Sequence, residues 1–86
     1  MKDIKLFVLG GCPYCIKALD FQNQLIASRP EYAALSIEII DEQLQKEVAD
    51  SFDYYYVPTY YVDGKKVHEG AIDKDGVAAV LKSALE

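Results

Sequence analysis

Tryptophan is absent from this 86-residue chain, and cysteine, histidine and methionine are scarce at two, one and one copies. With only two cysteines, a secreted scaffold held by several disulfides is excluded. Cationic side chains are also in the minority. Nine Lys and Arg face fourteen Asp and Glu, for a net charge of −5. Proteins that track nucleic-acid phosphates are normally basic, as are those that lie on anionic membranes, so the charge balance argues against both roles. No long apolar run is present either: Leu6 to Leu9 is far too short to span a bilayer or to form a signal-peptide core. The chain is therefore expected to be soluble, cytoplasmic and monomeric. What remains is a globular composition, 51% apolar and 27% charged, too apolar for a disordered segment. With no internal repeat, low-complexity tract or dividing linker, residues 1–86 are expected to form one domain.

The order of elements is legible from local signals. Ile4 to Leu9 reads as a buried strand bounded by Gly10-Gly11. Pro13 suits the first position of a helix, and Ala18, Phe21 and Leu25, with Leu19 and Ile26 alongside, give that helix one broad apolar face until Arg29-Pro30 ends it. Leu35 to Ile40 reads as a second strand, with Leu35, Ile37 and Ile39 alternating against Ser36 and Glu38. Asp41 is placed to cap a second helix carrying Leu44, Val48 and Phe52. A tyrosine-rich strand from Tyr54 to Val62, interrupted by Pro58, leads through Asp63-Gly64 into a partner strand, Lys66 to Glu69. Asp73 is placed to cap a last helix with Val77, Leu81, Ala84 and Leu85 on its apolar face. The expected order is β-α-β-α-β-β-α, an α/β fold with a four-stranded mixed sheet flanked by three helices.

The two cysteines stand at Cys12 and Cys15, around Pro13 and Tyr14. Two cysteines scattered at random over such a chain would show this separation roughly two times in a hundred, so the spacing looks selected for chemistry. Cys12 falls at the helix entrance, where unpaired N–H groups and the positive end of the dipole favour a thiolate, the species that attacks a disulfide. Cys15 lies one turn on, within reach of a disulfide and less exposed, where it can resolve a mixed disulfide on Cys12. A zinc half-site is the competing reading. A structural site needs four ligands, however, and His68 alone remains among the soft ones. Pro58 within a strand run calls for either an edge position or a cis peptide at Val57-Pro58.

Taken together, strand–Cys12-Pro13-Tyr14-Cys15–helix, Val57-Pro58-Thr59, Val62-Asp63-Gly64 and Gly70-Ala71-Ile72-Asp73 resemble a dithiol glutaredoxin of the thioredoxin-fold superfamily over essentially the whole chain. The resemblance implies that Cys12 is the nucleophile, Cys15 the resolving thiol and Pro58 a cis proline facing Cys12. It also implies glutathione as co-substrate, with no cofactor or metal bound permanently and disulfide-containing proteins as partners. The Val57 backbone would pair with the cysteinyl part of glutathione, Tyr14 would line the groove, and the N–H groups of Ile72 and Asp73 would receive the γ-glutamyl carboxylate. Gly10-Gly11, Tyr55, Tyr56 and Glu69 depart from the family pattern, Glu69 by setting a negative charge near a site meant for an anion. Thioredoxin proper matches less well: Gly11 precedes Cys12 where it has Trp, and Leu6 stands where it has a buried acid. A thioredoxin-like reductant served by a flavoprotein reductase or another small thiol is the second reading. A third is a carrier in which two chains hold a [2Fe–2S] cluster through Cys12.

Overall fold

A computed structural model describes residues 1–86. The elements are β1 (Ile4–Val8), α1 (Pro13–Ser28), α2 (Pro30–Ala33), β2 (Ile37–Asp41), α3 (Lys46–Asp50), β3 (Thr59–Val62), β4 (Lys65–Glu69) and α4 (Lys74–Leu85). The sheet has the order β2-β1-β3-β4, with β1 parallel to β2 and the β1/β3 and β3/β4 pairs antiparallel. The expected mixed sheet is thus present, with its parallel half made by the β1–α1–α2–β2 crossover and its antiparallel half by the hairpin. Asp63 and Gly64, at φ 53° and 81°, turn that hairpin.

Four helices flank the sheet where three were expected. Arg29 is held extended at φ −135°, ψ 114°, as the residue before a proline prefers, so α1 stops there. Pro30 then takes the first position of the additional short helix α2. The second strand begins two residues later and ends one residue later than its alternation suggested, and Ile39 is half exposed while Ile40 is buried. Leu35 and Ile37 pack into one core as the alternation implied, whereas Ile40 joins a second core on the opposite sheet face and Ile39 is left at the surface.

The helix read from Asp41 is also corrected. Asp41 ends β2, and its Oδ1 accepts the N–H groups of Gln43 and Leu44, which makes a turn rather than a helix start. Only Lys46–Asp50 is helical, and Leu44 and Val48 are exposed. Tyr54 to Val57 likewise lie outside the strand, which begins at Thr59.

Two apolar layers sandwich the sheet. The larger unites Ile4, Leu6 and Val8 of β1 with Tyr60 and Val62 of β3 and with Val77, Val80, Leu81 and Ala84 of α4. Gln22 of α1 is 3% exposed within this layer, and its Oε1 accepts the Tyr60 hydroxyl at 2.7 Å. That bond is what makes a buried amide tolerable. The smaller layer centres on Phe7, whose ring lies 4.9 Å from Phe52 and from Tyr54 and 5.6 Å from Tyr61. Adjacent strand residues point to opposite faces, so Tyr60 and Tyr61 serve different layers.

Candidate functional site

Strand register brings four segments to one end of the sheet. Val8 pairs with Asp41, and Phe7 with Thr59, which sets Pro58 beside the end of β1. Thr59 pairs in turn with Glu69, and the Gly70 N–H donates to the Pro58 carbonyl at 2.8 Å. The Cys12–Cys15 segment enters from the same end of β1. Ligand sites in α/β sheets collect beyond the carboxyl ends of parallel strands, and the candidate site lies there.

The approach to Cys12 is a tight turn. The Leu9 carbonyl accepts the Cys12 N–H at 3.2 Å, and Gly11 within this turn has φ +81°, which only glycine adopts without strain. Cys12 is the N-cap of α1, with Pro13 next at the position where its missing N–H costs nothing. The Cys12 Sγ accepts the Cys15 N–H at 3.2 Å, in the place where Ser or Asp oxygen usually caps a helix. The two thiols differ sharply. Cys12 is half-buried, whereas Cys15 is 2% exposed. Burial, followed by its contact with Cys12, pushes the Cys15 thiol up to about 12; the Leu9 backbone acts against this and the charge on Glu42 adds to it. Cys15 is therefore a neutral thiol near pH 7.

Pro58 is buried, and the Val57-Pro58 peptide is cis. Of the two readings the sequence allowed for Pro58, the cis one is the structure's, and β3 is a central strand. Val57 is partly buried.

On one side of the motif lies a groove of about 350 Å³ lined by Tyr14, Lys17, Phe21, Ala71, Ile72 and Asp73. Three of the expected binding residues, Tyr14, Ile72 and Asp73, thus meet in one place. Lys17 adds a cation there, and Phe21, read from sequence as core, forms part of the wall. Neither Ile72 nor Asp73 donates its N–H to another backbone group. The Asp73 Oδ1 accepts the Gly76 N–H at 2.7 Å and so caps α4. Gly76 lets Ile72 fold across that first turn, since a Cβ there would sit 2.7 Å from Ile72 Cγ1. His68, the one remaining soft ligand, is half-buried, with Nε2 2.8 Å from the Ala71 carbonyl at the groove's edge. No group of three or more His, Cys, Asp or Glu is arranged to hold a metal ion.

Residues 53–57 are held by side chains that local sequence reading does not reveal. Glu69 Oε2 accepts the N–H groups of Tyr55 and Tyr56 at 2.5 and 2.9 Å, and its Oε1 takes Lys66 Nζ at 2.7 Å. The Tyr61 hydroxyl donates to the Asp53 carbonyl at 2.6 Å, and Thr59 Oγ1 donates to the Tyr56 carbonyl. Glu69 is thus neutralised by partners rather than left as a free charge beside an anion site.

The four-stranded mixed sheet, the dithiol at a helix entrance and the cis proline at the same end of the sheet define a thioredoxin-fold protein. A family model described as the thioredoxin domain matches residues 2–82, and the chain belongs to that family. Among solved structures, the chain is similar to oxidised thioredoxin from Plasmodium falciparum, with a TM-score of 0.75 at 16% identity over 99% of this chain and 82% of that one. It is also similar to a mutant thioredoxin from Halobacterium salinarum NRC-1, with a TM-score of 0.72 at 21% identity over 99% of this chain and 75% of that one. Oxidised glutaredoxin 2 from Chlamydomonas reinhardtii gives 0.50 at 22% identity over 98% of this chain and 76% of that one. At these identities the likeness defines the fold and nothing finer. No curated protein matches in sequence. No helix is long and apolar enough to cross a membrane.

Proposed function

We propose that the protein is a thiol–disulfide oxidoreductase working through a Cys12–Cys15 dithiol cycle, with glutathione as its co-substrate. The observation that carries this reading is the placement of the Cys12 sulfur as the N-cap of α1, one turn above a buried Cys15. In the cycle, the Cys12 thiolate attacks one sulfur of a disulfide and displaces the other as a thiolate. Cys15 then attacks the Cys12 sulfur of the mixed disulfide, and the second substrate sulfur leaves. The Cys15 proton and one from water end on the two released sulfurs. Two electrons pass to the substrate, and Cys12 and Cys15 become a disulfide. Two glutathione molecules restore the dithiol and leave as glutathione disulfide.

Support for glutathione comes from the groove beside Tyr14. Lys17 offers a charge for one carboxylate, and the Ile72 and Asp73 N–H groups at the opening of α4 suit the other. The Val57 backbone would hold the cysteinyl part. The test is glutathione-dependent reduction of a small mixed disulfide, coupled to glutathione reductase, with Cys12→Ser as control. Turnover lost in the variant supports the reading. A dithiol that reacts with dithiothreitol but gives no turnover with glutathione sinks the co-substrate while leaving the cysteine chemistry standing.

A second reading, a reductant of protein disulfides fed by a flavoprotein reductase or another small thiol, is favoured by the exposed rings of Tyr55 and Tyr56 beside the site. Insulin reduction driven by such a reductase, without glutathione, would select it.

A further inference from the structure

The segment Asp53–Val57 has no helix or strand of its own, yet it leads directly into the cis Val57-Pro58 peptide at the end of the sheet where the Cys12–Cys15 segment leaves β1. Its shape depends on groups reaching in from β3 and β4. Tyr61 and Thr59 hold its carbonyls, the Gly70 N–H holds the Pro58 carbonyl, and a single oxygen of Glu69 gathers two consecutive N–H groups. Successive N–H groups converging on one point form an anion-binding concavity, and here the anion is supplied by the chain itself. Turning these amides inward leaves the side chains outward, with Tyr55 86% and Tyr56 71% exposed.

We infer that Glu69 is a positioning residue for substrate docking: its carboxylate holds the backbone of residues 55 and 56 so that Val57 presents its peptide groups to a bound disulfide. This rests on the oxidoreductase reading above. Glu69 touches neither sulfur, and its effect passes through the loop. Lys66, and then the two tyrosine N–H groups, hold the Glu69 carboxyl near 2, so the clamp stays ionised at any pH near neutrality. Gln at this position keeps a carbonyl oxygen able to accept both N–H groups and gives up the ion pair with Lys66 and the charge assistance of those two bonds. Ala removes the acceptor altogether.

The experiment compares wild type, Glu69→Ala and Glu69→Gln in steady-state reduction of a disulfide-bonded peptide. Alongside it run the iodoacetamide reaction of Cys12, thermal melts, and hydrogen exchange at the Tyr55 and Tyr56 amides. Expected for Glu69→Ala is a rise in KM of roughly tenfold, the size of losing charge-assisted hydrogen bonds, with kcat and Cys12 alkylation little changed. The two amides lose their protection in the same variant. Glu69→Gln, which keeps the acceptor without the charge, recovers part of the KM and most of the protection. An unchanged KM in Glu69→Ala overturns the positioning role, as do equal exchange rates in all three proteins. So does a fall in kcat matched by slower Cys12 alkylation, which would place Glu69 in the chemistry instead. A wild type that turns over no disulfide overturns the oxidoreductase reading, and the docking role with it.

Discussion

The sulfurs of Cys12 and Cys15 are expected to behave as different reagents. Iodoacetamide near pH 7 should label Cys12 alone, and mass spectrometry should find Cys15 modified only as the pH approaches about 12. The same asymmetry enters stability. Folding favours the protonated Cys15 thiol, so its contribution is complete below the ordinary value of 9.0 and is lost as the pH climbs from there through about 12. Denaturant titrations across that window should show the decline, and Cys15→Ser should remove its lower part, leaving the share that half-buried Tyr54 and buried Tyr60 contribute above pH 10. In turnover, Cys15→Ser should block reduction of protein disulfides and spare the glutathione mixed-disulfide route, whereas Cys12→Ser should abolish both. A further single-residue test lies in the core. Tyr60→Phe strips the donor from a buried Gln22 oxygen, and should lower stability by about 1–3 kcal/mol in a urea melt. Gln22→Leu added to it should recover part of that loss, because both polar partners are then gone.

Among the elements, α4 and α3 make a contrast. Asp73 caps α4 through the Gly76 N–H, and the helix buries Val77, Val80, Leu81 and Ala84. Asp73→Ala should cost about 0.5–2 kcal/mol, read as a lower urea midpoint at unchanged slope. Glutathione binding should weaken in the same variant as the Ile72–Asp73 corner loosens. By contrast, α3 is five residues long, has no side-chain cap at Gln45 and buries only Ala49. Its amides should exchange with solvent well before those of α1, which is checked by hydrogen-exchange NMR. This is also the element that spacing misjudged. Leu44, Val48 and Phe52 share a helical stripe on paper, yet Leu44 is 84% exposed and only Phe52 reaches an aromatic partner, Phe7. A periodic stripe shows that a helix could bury one face; whether a neighbour lies there to cover it is decided elsewhere in the chain.

The whole molecule is stabilised from both sides of one sheet, so the smaller aromatic layer matters more than its size suggests. Phe7 sits fully buried among Phe52, Tyr54 and Tyr61. Phe7→Ala should cost about 3–5 kcal/mol. That is a large share of the roughly 5–15 kcal/mol typical of a folded protein. The variant should melt far below wild type and should also lose activity, because Phe7 pairs with Thr59, the residue that follows Pro58.

Features that depend on a few consecutive residues are legible in the amino-acid sequence by itself. They include the proline-initiated helix after Gly10-Gly11, the Asp63-Gly64 hairpin, the Asp73 cap and the Cys12–Cys15 pair at a helix entrance. Capping, turn chemistry and spacing are local rules, and they specify most of the element order and the two cysteines of the candidate site. Other features join distant residues. Gln22 meets Tyr60 across 38 positions, and Glu69 reaches back 13 and 14 to Tyr56 and Tyr55. Glu69, adverse as an isolated charge beside an anion site, holds a loop once β4 has paired with β3. Strand register decides which side chains face one another, and it is a property of the assembled sheet.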